Sequence, residues 1–322
     1  MFPIVQVDPA KIVRDEQLGS KSKFWYDNDQ GERWLFKETR EIIPGESTGE
    51  DWAEKVAAEI AAVVGISAAR AELAEFQQRR GSSSKLFLGS RNESLVHGNE
   101  ILAGAIIGYD RQKKLHQQDH TLDNIVLALE RILPGQPGLR ISILRQLAGC
   151  FVLDALIGNT DRHHENWGLI YSADGHTAAP GNTERDGENW RVVYGAERAR
   201  TALSLVAAPS FDHASSLGRE LLDARRAEIL RKDRMEAYVG GGRGGIYIRK
   251  SEKRGANPVE LVNYGVRKYP GLFRPALAKV ARAPIEELYS LVDEVPRSRM
   301  TEVACQFAKE FLRCSHHQLS QL

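Results

Sequence analysis

The chain has 322 residues, 42% hydrophobic and 27% charged, a globular composition that excludes wholesale disorder. Lysine and arginine number 44 against 43 aspartates and glutamates, so a formal net charge of +1 gives no global pull toward DNA, RNA or an anionic membrane. Cys150, Cys305 and Cys314 lie too far apart for a metal-ligand spacing, and three are too few for a disulfide scaffold. The opening MFPIVQVDPAKIV lacks the pattern of a signal peptide, and no stretch approaches the ~18 apolar residues of a membrane span. A reduced, cytoplasmic setting with no membrane association is expected.

In chain order, strands are predicted over 2–7, 22–27 and 33–38, rich in aromatic and β-branched residues, with a hairpin turn at DNDQGE. A helix is predicted from Glu50 to Val64, because Ala53, Val56, Ala57, Ile60, Val63 and Val64 repeat at helical spacing. Ser47 or Thr48 caps it and Gly65 ends it. Two short strands follow, near Ala69–Phe76 and Ser84–Leu88. From about residue 120 the pattern is helical. Leu139–Ile157 is apolar almost all round and is placed in a core. The polar stretch Ser172–Asn189 reads as a loop insertion, Leu217–Tyr238 as a charged helix, GGGRGG (240–245) as a flexible loop and Thr301–Cys314 as a helix with Phe307 and Phe311 in the core. The architecture expected is α+β: a β-rich N-lobe, residues 1–95, followed by a mainly helical C-lobe, residues 96–322.

Chemistry concentrates in IGNTDRHHENWGLI, from Ile157 to Ile170. Asp161 and Asn166 stand five apart in a polar loop between a buried helix and a short apolar run. Protein kinases use that spacing for a catalytic Asp and a magnesium-holding Asn. Phosphoryl transfer needs hard oxygen ligands and positive charge converging on phosphates. Taken alone, the spacing reads first as turn chemistry. The order of other residues adds weight: Lys37 closes the strand WLFK, Glu54 and Glu59 lie on the next helix, and Asp212 follows an apolar run in SFDHASSLG. Asp154, in a nearly all-apolar helix, needs partners, and bracing the catalytic loop is the role expected of it. His163 and His164 do not have zinc-site spacing.

GNTDRHHENWGLI together with SFDHASSLG resembles the HipA-like serine/threonine kinases, bacterial enzymes of which many are toxins of toxin–antitoxin pairs. The resemblance runs from about Gly19 to the end and is strongest from Phe151 to Leu217. It implies a two-lobed kinase-like fold and ATP and Mg2+ as cofactors. Asp161 would be the catalytic Asp, Asn166 and Asp212 the metal ligands, and Lys37 the phosphate-contacting lysine with Glu54 as its ion-pair partner. His163 stands where ordinary protein kinases have their catalytic-loop lysine, so His163 or Arg162 would meet transition-state charge. The phosphate loop would be LGSKSKF, with Gly19, Ser20, Lys21, Ser22 and Lys23 around the nucleotide and Ser20 or Ser22 as autophosphorylation site. The implied partners are a protein substrate, such as an aminoacyl-tRNA synthetase or another translation protein, and a small antitoxin protein. The extra N-terminal subdomain of full-length HipA-type toxins is not expected here, and direct DNA binding is not expected either.

Two other functions compete. A metal-dependent phosphohydrolase would use Asp161, His163, His164 and Asp212 and would release phosphate without consuming ATP. A pseudokinase or binding module would hold a nucleotide without transfer. The basic cluster Arg243, Arg249, Lys250, Lys253 and Arg254 reads as solvated surface, or as a contact for an acidic or tRNA-bearing substrate.

Overall fold

A computed structural model describes residues 1–15, 23–43, 46–172, 183–186, 189–192 and 204–322. The first part of the chain forms β1 (Ile4–Gln6), β2 (Ile12–Asp15), β3 (Lys23–Asp27), β4 (Arg33–Glu38), the short β5 (Glu41–Ile43) and β6 (Glu46–Ser47), helix α1 (Glu50–Val63), then β7 (Ala71–Phe76) and β8 (Arg79–Lys85). Six of these strands make one sheet in the order β1-β7-β8-β4-β3-β2.

Alternation sorts the two faces of this sheet. Phe24, Tyr26, Trp34, Phe36, Ala74 and Phe76 point to one side and form a small core with Val7. The rings of Phe24 and Phe36 stack at 5.0 Å, and Phe76 meets Phe24 edge-on at 4.7 Å. The other side carries Leu73, which joins the main core with Trp52, Val56 and Ile60 of α1. Lys37 stands opposite Ser82, which stands opposite Leu73, so Lys37 lies on the α1 side. Between Gln6 and Ile12 the chain passes from one edge of the sheet to the other. That stretch reaches about 20 Å when extended, whereas five flat strand spacings need about 24 Å. The sheet therefore curls over its aromatic face, with Val7 tucked inside.

The remainder is mainly helical. β9 (Glu93–His97) leads to α2 (Gly98–Ala105), α3 (Leu122–Ile132) and α4 (Pro137–Ile157). After the segment that holds Asp161 and Asn166 come β10 (Gly168–Ser172), the hairpin β11 (Thr183–Asp186) and β12 (Asn189–Val192), and β13 (Ser204–Ala207). Helices α5 (Asp223–Arg231), α6 (Met235–Gly241), α7 (Pro258–Lys268), α8 (Pro270–Arg282), α9 (Ile285–Asp293) and α10 (Glu302–Ser320) complete the chain. Every residue of α4 from Leu147 to Ile157 is buried, and α7, α8 and α10 pack around it. The antiparallel sheet β13-β10-β9 borders this helical body. The three cysteines are unpaired and buried. Among the described residues no helix is long and apolar enough to cross a membrane.

Several predicted boundaries move. The second of the two short strands spans Arg79–Lys85, not Ser84–Leu88, because Gln77 and Gln78 make a tight turn with φ of 49° and 66°. The helix predicted over Leu217–Tyr238 divides into α5 and α6 at Asp233, which takes the left-handed conformation with φ 49°. The glycine run is not a free loop. Gly240 and Gly241 end α6, and a Cβ on Gly245 would lie 2.8 Å from the Arg162 carbonyl oxygen. Most of the expected loop Ser172–Asn189 lies outside the described residues.

Candidate active site

α4 delivers the segment that holds Asp161 and Asn166 from inside the core. Gly158 ends the helix with φ 69°, and a side chain there would strike the Phe311 ring at 2.2 Å. Asp154, in the last turn, is buried and fully engaged. Its oxygens accept from Asn159 Nδ2 at 2.8 Å and from Arg162 Nε and Nη2, both at 2.8 Å. The Asn159 carboxamide in turn accepts the Asp161 N–H at 3.1 Å. Asp154 is thus the brace its burial demanded.

Arg162 departs from its expected role. It is only 2% exposed, and besides Asp154 it donates to the carbonyls of Asn166 and Phe211 and, at 3.0 Å, to Ser210 Oγ. A guanidinium so enclosed cannot face transferring charge. It ties the loop to the segment that carries Asp212, and the Asp154 carboxylate holds its pKa far above the ordinary value despite burial.

Asp161 itself opens onto the cleft. The protein around it disfavours the carboxylate and pushes its pKa above the usual range; Asp212 adds to this while His163 opposes it. Asn166 is buried, with its Nδ2 donating to the Asp161 carbonyl at 2.8 Å.

Asp212 arrives from β13 and takes φ 60°, a conformation rare and strained for a non-glycine residue. Its Oδ1 accepts from Lys37 Nζ at 3.0 Å, joining β4 to the far side of the cleft. Burial alone would lower the Lys37 pKa, but the carboxylates of Asp212 and Glu54 outweigh it and raise the pKa above the ordinary lysine value. Glu54 is not the hydrogen-bonded partner of Lys37 in the structure. Its Oε2 accepts the backbone N–H of His213 at 2.7 Å, and its Oε1 lies 3.5 Å from His213 Nδ1. Glu59, the other candidate on that helix, binds Lys55 at 2.6 Å.

Lys23 stands directly opposite Lys37 in the β3–β4 register and so shares its face of the sheet. Gly19, Ser20, Lys21 and Ser22 lie outside the described residues. His163 is half-buried, and its Nδ1 accepts the Glu165 N–H at 3.2 Å. His164 turns inward, 1% exposed, with Nδ1 at 2.8 Å from the Tyr109 hydroxyl. Behind it His120 bonds the Gly245 carbonyl through Nδ1 at 2.9 Å and accepts from Trp167 Nε1 at 3.0 Å. Burial lowers the His120 pKa to about 3 and the His164 pKa to about 4, His163 adding to the latter.

Sequence reasoning missed two parts of this site. One is the His120–Trp167–Tyr109 support, whose members lie 47 and 55 residues from their partners. The other is His213, which links Glu54 of α1 to Ser210 Oγ at 2.8 Å and hence to Arg162. Its position beside Asp212 was the available signal. Phe211 stacks on Phe87 at 5.6 Å, between the Asp212 segment and the stretch leaving the sheet.

The donor set fits a hard divalent cation. The Asn166 carboxamide and the Asp212 carboxylate offer two hard oxygens, the small protein contribution that Mg2+ accepts when phosphates supply the rest. Among the described residues no group of three or more His, Cys, Asp or Glu residues could hold a metal. The phosphohydrolase arrangement also loses His164 to the interior.

Against protein-family models and curated protein sequences the chain has no match. Solved structures do resemble it. The Helicobacter pylori proinflammatory kinase CtkA superposes with a TM-score of 0.70 at 18% identity, over 99% of this chain and 100% of that one. The Shewanella oneidensis HipA, solved with HipB and its operator DNA, superposes with a TM-score of 0.54 at 11% identity, over 98% of this chain and 66% of that one. The curled sheet with its single long helix, followed by the helical body that carries Asp161, Asn166 and Asp212, thus gives the chain the two-lobed α+β fold of the HipA-like kinases.

Proposed function

We propose that the chain is an ATP- and Mg2+-dependent protein kinase acting on serine or threonine. The observation that carries this reading is the Lys37–Asp212 contact at 3.0 Å, with Asp161 near enough for Asp212 to act on its carboxyl and Asn166 bonded to the Asp161 carbonyl. Four residues of the kinds that phosphoryl transfer needs, from three separate segments, would converge where lobes of residues 1–95 and 96–322 would clamp a nucleotide. Bound Mg2+ would neutralise charge on the phosphates, held by Asn166 and Asp212. Lys37 would bind phosphate oxygens, with Lys23 on the same face, and Gly19, Ser20, Lys21 and Ser22 would serve as the phosphate loop. Glu54 keeps the site anionic enough to hold Lys37 protonated. Asp161 would accept the hydrogen bond of the substrate hydroxyl and orient it, with His163 beside it to temper developing charge.

The resemblance to HipA-like kinases further supports a growth-inhibiting toxin, active in the cytoplasm on a protein of translation, silenced by phosphorylation of Ser20 or Ser22, and paired with a small antitoxin protein. A phosphate on either serine would place nearly two negative charges where ATP binds. The test is calorimetric titration of ATP with Mg2+ into the protein and into Lys37→Met. Saturable binding that weakens at least about tenfold in the variant is expected. Equal affinity in both proteins would remove Lys37 from the nucleotide site.

A further inference from the structure

Exposed cations gather along one edge of the catalytic loop. Two exposed segments, residues 110–118 and 248–254, are far apart in number and adjacent in space. The Tyr247 N–H donates to the His120 carbonyl at 2.9 Å, and Gln118 Nε2 donates to the Glu252 carbonyl at 2.8 Å. Lys250 also bonds Asp119 at 2.7 Å. The first segment reaches the catalytic loop where Lys114 binds Glu165 at 2.9 Å, and Gly245, three residues ahead of the second, lies against the backbone of Arg162 and His163.

Together they concentrate positive charge in a chain whose formal balance is +1. Arg111, Lys113, Arg249, Lys253 and Arg254 are exposed and, among the described residues, have no carboxylate partner. The acids within the segments do not neutralise them. Asp110 folds back on the Gln112 N–H at 2.9 Å, and Glu252 on the Ile248 N–H at 3.3 Å. Ile107, 97% exposed, and Leu115, 77% exposed, add apolar contact points nearby. Tyr247 and Tyr109 are buried, and among the described residues of this edge His116 is the one aromatic ring left exposed, so the surface for stacking bases is small. That favours an extended acidic peptide over RNA.

We propose that this basic edge docks an acidic segment of the phosphoacceptor protein and so sets substrate choice. The proposal rests on the kinase reading, because it makes the edge one wall of the substrate path to Asp161. A carboxylate-rich segment would pair with the five cations while its Ser or Thr reaches the cleft. Complementary rim charges chiefly govern association and partner choice.

Binding separates this proposal from the kinase reading. Fluorescence anisotropy would follow a labelled serine peptide flanked by glutamates, and the same peptide with glutamines, on the full chain without nucleotide. The glutamate peptide is expected to bind at least about tenfold more tightly, with the preference shrinking as salt rises. Lys113→Glu/Arg249→Glu/Lys253→Glu, exposed residues outside the catalytic machinery, is expected to erase that preference while leaving ATP binding and thermal midpoint unchanged. If transfer occurs, the same variant raises KM for the glutamate peptide without changing kcat. Equal affinity for the two peptides, an unchanged preference in the variant, or tighter binding of a transfer RNA than of the glutamate peptide would each overturn the proposal. Preferential binding with no phosphate transfer would leave the docking edge standing and defeat the kinase reading alone.

Discussion

Arg162 shows how one buried charge can organise a site without touching its chemistry. Its planar fork takes two oxygens of Asp154 and leaves donors for Asn166, Phe211 and Ser210, an arrangement that a lysine's single ammonium cannot reproduce. Arg162→Lys is therefore expected to lose about 3 kcal/mol of stability, since Asp154 keeps its burial without its partner. The urea midpoint would show this; a change within error would mean that the loop does not depend on the fork. The same residue marks the limit of sequence reading. Proximity to Asp161 suggested charge stabilisation, but direction is set by burial, and burial depends on Ser210 and Phe211, 48 and 49 residues away.

At the scale of elements, α1 is the informative case. Its bounds were legible from the apolar repeat and match Glu50–Val63 almost to the residue. Its polar side was not. Glu50, Asp51, Glu54 and Lys55 are all buried, each held by a partner from elsewhere in the chain. Arg219 binds Glu50 at 3.0 Å, Glu72 binds Lys55 at 2.7 Å, and Arg299 and Arg80 converge on Asp51 at 3.2 and 3.1 Å. Arg299 also reaches Glu75 at 2.8 Å, so a residue just ahead of α10 pins both α1 and β7. Amphipathic patterning assumes that charge faces water, and partners up to 248 residues distant defeat the assumption. Arg299→Ala should cost about 3 kcal/mol, because Asp51 retains only Arg80. It should also loosen the α1 position that presents Glu54 to His213. Hydrogen exchange of α1 amides would rise in the variant; unchanged protection would assign the clamp no positioning role.

For the whole molecule, the sequence conveyed the fold through strand alternation, the all-apolar α4 and the spacing of Lys37, Asp161, Asn166 and Asp212. It did not convey the curl of the sheet, nor the packing of the glycine run beneath the catalytic loop, because both depend on contacts between distant segments. That packing carries a pH signature. His120 and His164 ionise near 3 and 4 in the folded chain, below the ordinary value of 6.5. As pH falls below 6.5 the unfolded chain takes up protons that the folded chain refuses, so stability falls with pH until the folded-state values are reached. The two residues together should cost the fold on the order of 4 kcal/mol between neutral pH and pH 5. His120→Gln should show a smaller loss of urea midpoint over that range than the unaltered protein. An equal loss would place the acid sensitivity elsewhere.

The kinase reading is tested most directly by intact mass. Phosphatase-treated, repurified protein would be incubated with ATP and Mg2+ beside an Asp161→Ala variant, alone and with cell lysate protein. The expected result is the addition of phosphate to the unaltered chain or to a lysate protein, with the variant reduced by about a hundredfold or more. Peptide mapping would then compare Ser20 and Ser22. Folded protein that binds ATP yet transfers phosphate neither to itself nor to any lysate protein would contradict the kinase reading and leave a nucleotide-binding module.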